Sequence, residues 1–186
     1  MRALLIAAVV GCTGEQVQSS TVDASGETGA CVDVTGNVLK NGSFELWTGS
    51  SPTDWVVDGL TPVRHDTSAQ HCTSWLEGAR IGAASLSQVV RFSPALPANT
   101  SIRAAVMVRL LAGAPTDKIN IEIVTDDREM TGGTAHTFNT DGTWQEISVE
   151  HTIAAATTSA RIFISSSAST KQTIAFDRAW MTTRIF

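Results

Sequence analysis

The chain has 186 residues, of which 42% are hydrophobic and 17% charged, and its formal net charge at pH 7 is −5. This composition argues against a chain that is disordered throughout. Only 3 Lys and 10 Arg oppose 18 acidic residues, and they form no basic cluster, which argues against nucleic-acid binding. The 24 Thr and 18 Ser favour strands and turns.

Residues 1–12 combine one positive charge, at Arg2, with an apolar run over residues 3–10. At about 1.5 Å per residue this run cannot cross a hydrocarbon core about 30 Å thick. It therefore predicts a short secretory signal peptide over residues 1–11. The sequence V-V-G-C at residues 9–12 resembles a bacterial lipobox, which implies that Cys12 is lipidated after cleavage. A buried N-terminal strand is the alternative.

Residues 12–36 are rich in Thr, Ser, Gly and acidic residues without apolar periodicity, and they predict a flexible tether. A lipid on Cys12 would hold the following domain near the membrane. We therefore expect an exported protein of the bacterial cell envelope, lipid-anchored or extracellular, that meets the membrane through its lipid only.

Cysteine usage agrees with export, because assigning Cys12 to the lipid leaves Cys31 and Cys72 for one disulfide. Two alternatives remain open. The two cysteines are free thiols, or Cys72 binds a metal with His71 and His65.

Residues 37–186 alternate apolar and polar side chains with period two. The alternation is clearest at residues 101–111, 118–125 and 160–165, and further strands are predicted at 86–92 and 143–153. Trp144 is out of phase with Ile147 and Val149, which predicts a bulge there. About eight or nine short strands separated by turn signals predict one all-β domain, an antiparallel β-sandwich of the jelly-roll type.

Four segments resemble a known family in the right order. They are N-G-S-F-E-L-W at residues 41–47, followed by Pro52 and Trp55; L-S-Q-V-V at 86–90; T-W at 143–144; and I-A-F-D-R-A-W-M at 174–181. Together they resemble carbohydrate-binding modules of the 4/9/22 type, within the galactose-binding-like jelly rolls. The resemblance covers residues 37–186 and implies a polysaccharide or glycan as the partner.

The resemblance also implies a structural calcium ion between the first and last strands. By position, Glu45 and Asp177 would supply carboxylates, and carbonyl groups of residues 41–43 part of the remaining ligands. The second Asp of the family's closing strand is Arg178 here. A direct ion pair between Glu45 and Arg178 is the alternative.

Five tryptophans raise the question of which rings stack on a sugar. The resemblance assigns Trp55 and Trp144 to the core, and Trp47 is expected at the base of the first loop. Trp75 lies in the polar stretch 66–77 and is predicted to be an exposed loop platform. Trp180 is expected to project from the sheet.

Arg109 and Glu122 are predicted to bind the ligand from the outward faces of the middle strands. If those strands adjoin, the polar patch contains Arg103, Arg109, Asn120, Glu122 and Arg161. A solvated face with ordinary cross-strand ion pairs is the alternative.

No catalytic motif is found, and the acidic residues Asp126, Asp127 and Glu129 are typical of a solvated turn rather than of a glycosidase pair. The sequence predicts a non-catalytic, surface-anchored module that binds carbohydrate or cell-envelope glycan. The alternative is a structural or adhesive envelope lipoprotein that contacts another protein without binding sugar.

Overall fold

A computed structural model describes residues 34–126 and 130–185. These residues form ten β-strands: β1 Trp47–Thr48, β2 Ser51–Pro52, β3 Val56–Asp58, β4 Thr61–His65, β5 Trp75–Leu96, β6 Thr100–Ala112, β7 Lys118–Thr125, β8 Met130–Thr137, β9 Gln145–Thr152 and β10 Thr157–Ile185. Within these ranges there is no helix of the length and apolarity that a membrane span requires. The predicted all-β class is confirmed.

Two long strands, β5 and β10, bend and contribute to both layers of a sandwich. Residues 76–80 of β5 pair with residues 172–176 of β10, and residues 82–96 pair with residues 157–168. The register shifts between Ala168 and Gln172, opposite Gly82, whose φ of 85° favours glycine. The bend creates sheet 1, in the order β4-β5-β10-β6-β9, and sheet 2, in the order β3-β5-β10-β7-β8.

The period-two pattern decides which side of each strand is buried. In β7, Ile119, Ile121 and Ile123 have no exposed surface, whereas the residues between them are partly exposed. Complete burial of one such side chain contributes roughly 1.5–3 kcal/mol. The same side of the other strands fills the space between the sheets with apolar side chains, among them Leu76, Leu86, Ile102, Val106, Ile147, Ile162, Ile174, Phe176 and Met181.

The strands predicted from the sequence are found, but two details differ. The prediction of short strands is wrong for β5 and β10, which have 22 and 29 residues because each runs through both sheets. The predicted bulge at Trp144 is also wrong. Trp144 precedes β9, whose pairing with β6 runs from Gln145 to Thr152 without a shift, so no extra residue is needed to restore the phase.

The segment before β1 closes one side of the sandwich. The Asn37 side-chain oxygen accepts hydrogen bonds from the backbone N–H groups of Leu39 and Met181. The Gln88 side-chain amide exchanges two hydrogen bonds with the backbone of Lys40. Residues 37–40 are thus hydrogen-bonded to both long strands, β5 and β10.

Several predictions concern residues outside the described ranges. These are the signal peptide over 1–11, the lipidated Cys12, most of the tether over 12–36, and Cys31. The disulfide between Cys31 and Cys72 therefore stays a prediction, as do the proposed domain limits.

Candidate functional site on the outer face of sheet 1

Sheet 1 turns one side away from the core, and the strand register brings polar and aromatic residues together on it. Val63 of β4 pairs with Glu77 of β5, Glu77 pairs with Ala175 of β10, and Ala175 pairs with Arg109 of β6. The flanking residues Leu76, Phe176 and Val108 lie in the core. Because side chains alternate along a strand, this row faces outward. We call this side the outer face of sheet 1.

Four side chains on this face pack into one group, the Trp75 cluster, which consists of His65, Trp75, Arg109 and Trp144. The His65 and Trp75 rings are stacked, with centroids 4.1 Å apart and an interplanar angle of 9°. The Trp144 ring meets Trp75 edge-on at 6.1 Å. The Arg109 Cζ atom lies 5.5 Å from the Trp75 centroid and 4.9 Å from the Trp144 centroid. Each such cation–π contact contributes about 0.5–2 kcal/mol.

Hydrogen bonds fix the orientation of the rings in the Trp75 cluster. His65 Nε2 lies 2.7 Å from Glu77 Oε2, at ion-pair distance. The Trp75 indole N–H donates to the carbonyl oxygen of Thr67 at 2.7 Å. Trp75 is therefore enclosed by its neighbours and is only 5% exposed. Trp144 remains partly exposed at the rim of the group.

A second aromatic–arginine contact lies further along the same face. Trp180 pairs with Ala105 of β6, and its neighbours Ala179 and Met181 face the core. The Arg103 Cζ atom lies 5.2 Å from the Trp180 ring centroid, and an Arg103 terminal nitrogen lies 4.0 Å from Glu146. Arg103 and Arg109 are six residues apart on β6, about 20 Å along the strand, so the face is long enough for an extended ligand.

The structure brings together some of the predicted ligand-binding residues and separates others. Trp75 and Arg109 are in contact. The prediction that Trp75 is an exposed loop platform is wrong, because Trp75 begins strand β5 and is covered by His65, Arg109 and Trp144. Trp180 is 9% exposed and does not project into solvent.

The predicted polar patch does not form. Glu122 alternates with the buried isoleucines of β7, so it faces outward from sheet 2, on the opposite side of the sandwich from Arg109. Strand β7 pairs with β8 and β10, whereas β6 pairs with β9 and β10. The strands that carry Arg103 and Arg109 therefore do not adjoin those that carry Asn120, Glu122 and Arg161.

Three residues of this site were not predicted as ligand contacts. The family resemblance places Trp144 in the core, the cysteine and histidine pattern offers His65 as a metal ligand, and Glu77 is not among the predicted ligand contacts. The alternation of Trp75 and Glu77 around the buried Leu76 is a sequence signal for this face. The contribution of Trp144 depends on the pairing of β9 with β6, which no local pattern shows.

The loop between β4 and β5, residues 66–74, is held against the face by two carboxylates. Glu45 accepts hydrogen bonds from the backbone N–H and the hydroxyl of both Thr73 and Ser74, at 2.5–3.0 Å. Burial raises the pKa of Glu45, but these four donors outweigh burial and lower the pKa below 4.5. Asp177 is fully buried and accepts backbone N–H bonds from His71 and Arg178. Burial dominates there and raises the pKa of Asp177 to about 6.

These contacts do not fit a calcium ion at Glu45 and Asp177. Calcium takes six to eight oxygen ligands around one point, but the lone pairs of Glu45 face four hydrogen-bond donors. The carbonyl oxygens of Asn41 and Gly42 accept hydrogen bonds from Trp55 Nε1 and the Ala179 N–H. Among the described residues, no three His, Cys, Asp or Glu side chains are grouped for a metal, and no ion pair joins Glu45 to Arg178.

Comparison with solved structures identifies the fold. A family 61 carbohydrate-binding module in complex with β-1,4-galactotriose superposes with a TM-score of 0.59 and 19% identity, over 78% of this chain and 97% of that chain. The C-terminal family 22 module of Clostridium thermocellum Xyn10B superposes with a TM-score of 0.57 and 15% identity, over 82% and 98%. An α-L-arabinofuranosidase also matches, with a TM-score of 0.60 and 13% identity, but over only 26% of its own chain.

The chain therefore has the jelly-roll β-sandwich fold found in carbohydrate-binding modules, as the sequence resemblance predicted. Modules of families 4 and 16 share this fold as well. No protein-family model matches the sequence, and no curated protein is significantly similar to it.

Proposed function

We propose that the chain is a non-catalytic module that binds carbohydrate on the outer face of sheet 1. The observation that carries this proposal is the Trp75 cluster, in which a partly exposed Trp144 ring lies beside Arg109. The matched modules described as binding β-1,4-galactotriose and xylan support it by their fold.

The chemistry of the face suits a sugar. The apolar side of a pyranose ring packs on an aromatic face, while its hydroxyl groups need donors and acceptors around the ring. Trp144 offers the aromatic surface, Arg109 offers donors, and Glu77 with His65 offers both. Trp75 contributes indirectly, because its ring packs against His65 and Arg109 and holds them in position.

The absence of catalysis is part of the proposal. Of the acidic turn residues, Asp126 accepts hydrogen bonds from the hydroxyl and backbone N–H of Thr158 and Ser159, which lower its pKa. Glu77 is bound to His65. A glycosidase needs two free carboxyl groups at a defined separation across the glycosidic bond, and neither residue is free for that role. Surface anchoring rests on the lipobox-like residues 9–12.

We expect Trp144→Ala to weaken binding to soluble polysaccharides at least about tenfold, because removal of a central aromatic contact typically has this effect. Affinity gel electrophoresis against galactan, xylan and β-glucan measures the loss. The matched control is Phe163→Ala, which removes a partly exposed aromatic ring from the outer face of sheet 2. It is expected to bind as the wild type does.

Equal loss in both variants, or loss only in Phe163→Ala, would place the site elsewhere and contradict the proposal. A wild-type protein that is retarded by no polysaccharide would favour the structural or adhesive alternative.

A further inference from the structure

Arg109 has no carboxylate partner in the described part of the chain. Its contacts are the two indole rings of Trp75 and Trp144, and its Nε atom is buried without a hydrogen-bond acceptor. Leaving a buried charged donor without an acceptor is costly. Arg109 is therefore a cation that is packed against two indole rings, has no anionic partner among the described residues, and lies on the face proposed to bind carbohydrate.

The acidic side chains of β5, β9 and β10 on the outer face of sheet 1 already have other partners. Glu77 is bound to His65, and Glu146 lies 4.0 Å from Arg103. The buried Asp177 accepts backbone N–H groups of the 66–74 loop. Glu150 accepts the Ser101 hydroxyl. None of the four lies within 4.0 Å of the Arg109 guanidinium.

The packing of Arg109 prepares it for an anion. A guanidinium is a planar fork that matches the two oxygens of a carboxylate or sulfate. The two indole rings hold the guanidinium in place before a ligand arrives, which reduces the entropy lost on binding. A neutral sugar hydroxyl can accept hydrogen bonds from the guanidinium, but it supplies no negative charge to pair with it.

We infer that the glycan bound here carries an anionic substituent, a uronic acid carboxylate or a sulfate ester, that pairs with Arg109. This inference rests on the proposed function and adds the substrate class to it. The charge on the sugar pairs with the fork of Arg109 while its ring packs against Trp144. The net charge of −5 repels polyanions at long range, but at 0.15 M salt this repulsion is screened over about 8 Å.

The test compares charged polymers with their neutral forms. Wild-type affinity is measured by isothermal titration calorimetry in 0.15 M NaCl for polygalacturonate and its carboxyl-reduced product, and for carrageenan and its desulfated product. We expect at least about tenfold tighter binding to one charged polymer than to its neutral form. Which pair shows the difference separates carboxylate from sulfate.

Variants locate the effect. Arg109→Gln is expected to abolish the preference for the charged polymer, and Arg109→Lys to restore part of it, because lysine keeps the charge without the fork. Arg91→Gln is the matched control, since Arg91 is an exposed residue of β5 at the edge of sheet 2 and its replacement changes the net charge equally. Circular dichroism and melting curves establish that each variant is folded.

Equal wild-type affinity for charged and neutral polymers would overturn the anionic ligand and leave carbohydrate binding intact. A preference lost equally in Arg91→Gln would also overturn it, because the effect would then reflect net charge alone. Binding to none of these four polymers would overturn the inference, and the proposed function would fall with it only if galactan, xylan and β-glucan also failed to bind.

Discussion

We expect the free energy of unfolding of an Asn41→Ala variant to be about 3–5 kcal/mol lower than that of the wild type, and its melting temperature to be lower by about 10 °C. The Asn41 amide donates to the carbonyl oxygens of Leu46 and Thr53, and its side-chain oxygen accepts the Leu46 N–H. Alanine would leave these groups without partners at a site that is 6% exposed. It would also have to adopt a φ of 48°, which asparagine tolerates better.

Two variants separate these causes and are measured with the first by urea denaturation. Asn41→Gly removes the same hydrogen bonds, but glycine adopts a positive φ without strain. We therefore expect Asn41→Gly to be destabilised by about 1 kcal/mol less than Asn41→Ala. Asn120→Ala replaces a partly exposed asparagine of β7 and is expected to change stability by less than about 0.5 kcal/mol. If Asn41→Ala were as stable as Asn120→Ala, the structural role of the N-G-S-F-E motif would be refuted.

A Glu45→Ala variant is expected to have a free energy of unfolding about 2–4 kcal/mol below that of the wild type, because it leaves the N–H groups of Thr73 and Ser74 without their acceptor. Glu45→Gln should lose less, since its amide oxygen still accepts both N–H groups. The matched control is Glu150→Ala, whose carboxylate accepts one hydroxyl at an exposed position. Thermal denaturation at pH 7 measures all three variants.

The pH dependence of the Glu45→Ala effect gives a further check. The pKa of Glu45 is lowered in the folded state, so its stabilisation is present above the ordinary pKa of 4.5 and is lost as the pH falls through the folded value. The difference in stability between the wild type and Glu45→Ala, which we call the gap, should therefore be smaller at pH 3 than at pH 7. A gap that is constant or wider in acid would contradict the role of the ionised carboxylate.

The same contacts bear on calcium. Because hydrogen-bond donors surround the Glu45 carboxylate, we expect the wild-type melting temperature to be the same in EGTA and in calcium chloride. A rise of several degrees with calcium would contradict this expectation and would favour the calcium site at Glu45 and Asp177 that the family resemblance implies.

The sequence predicted the fold class because the strands carry their information locally. The alternation of Ile119, Ile121 and Ile123 defines a strand with one buried side, whatever its neighbours are. The length of β5 and β10 could not be read in this way. Their bend near Gly82 and Ala168 depends on which partner each half finds, and that pairing is long-range.

The candidate site was predicted in part for the same reason. Arg109 and Glu122 both lie on outward faces of strands. The period-two pattern shows this for each residue but does not show which sheet the strand belongs to. Only the sheet order places them on opposite sides of the sandwich. The polar residues around Trp75 in the sequence predict an exposed ring, but the loop that contains them folds back over it, and the Thr67 carbonyl accepts the Trp75 indole N–H.

Nuclear magnetic resonance of the tryptophan side chains tests carbohydrate binding on the outer face of sheet 1 most directly. The indole N–H groups of the five tryptophans distinguish two regions. Those of Trp47 and Trp55 donate to the backbone near the opening motif, whereas the other three tryptophans lie on the outer face of sheet 1. On titration with a bound oligosaccharide, we predict shifts for Trp144 and Trp75 and none for Trp55. Saturable binding that leaves Trp144 and Trp75 unshifted would contradict the proposed site.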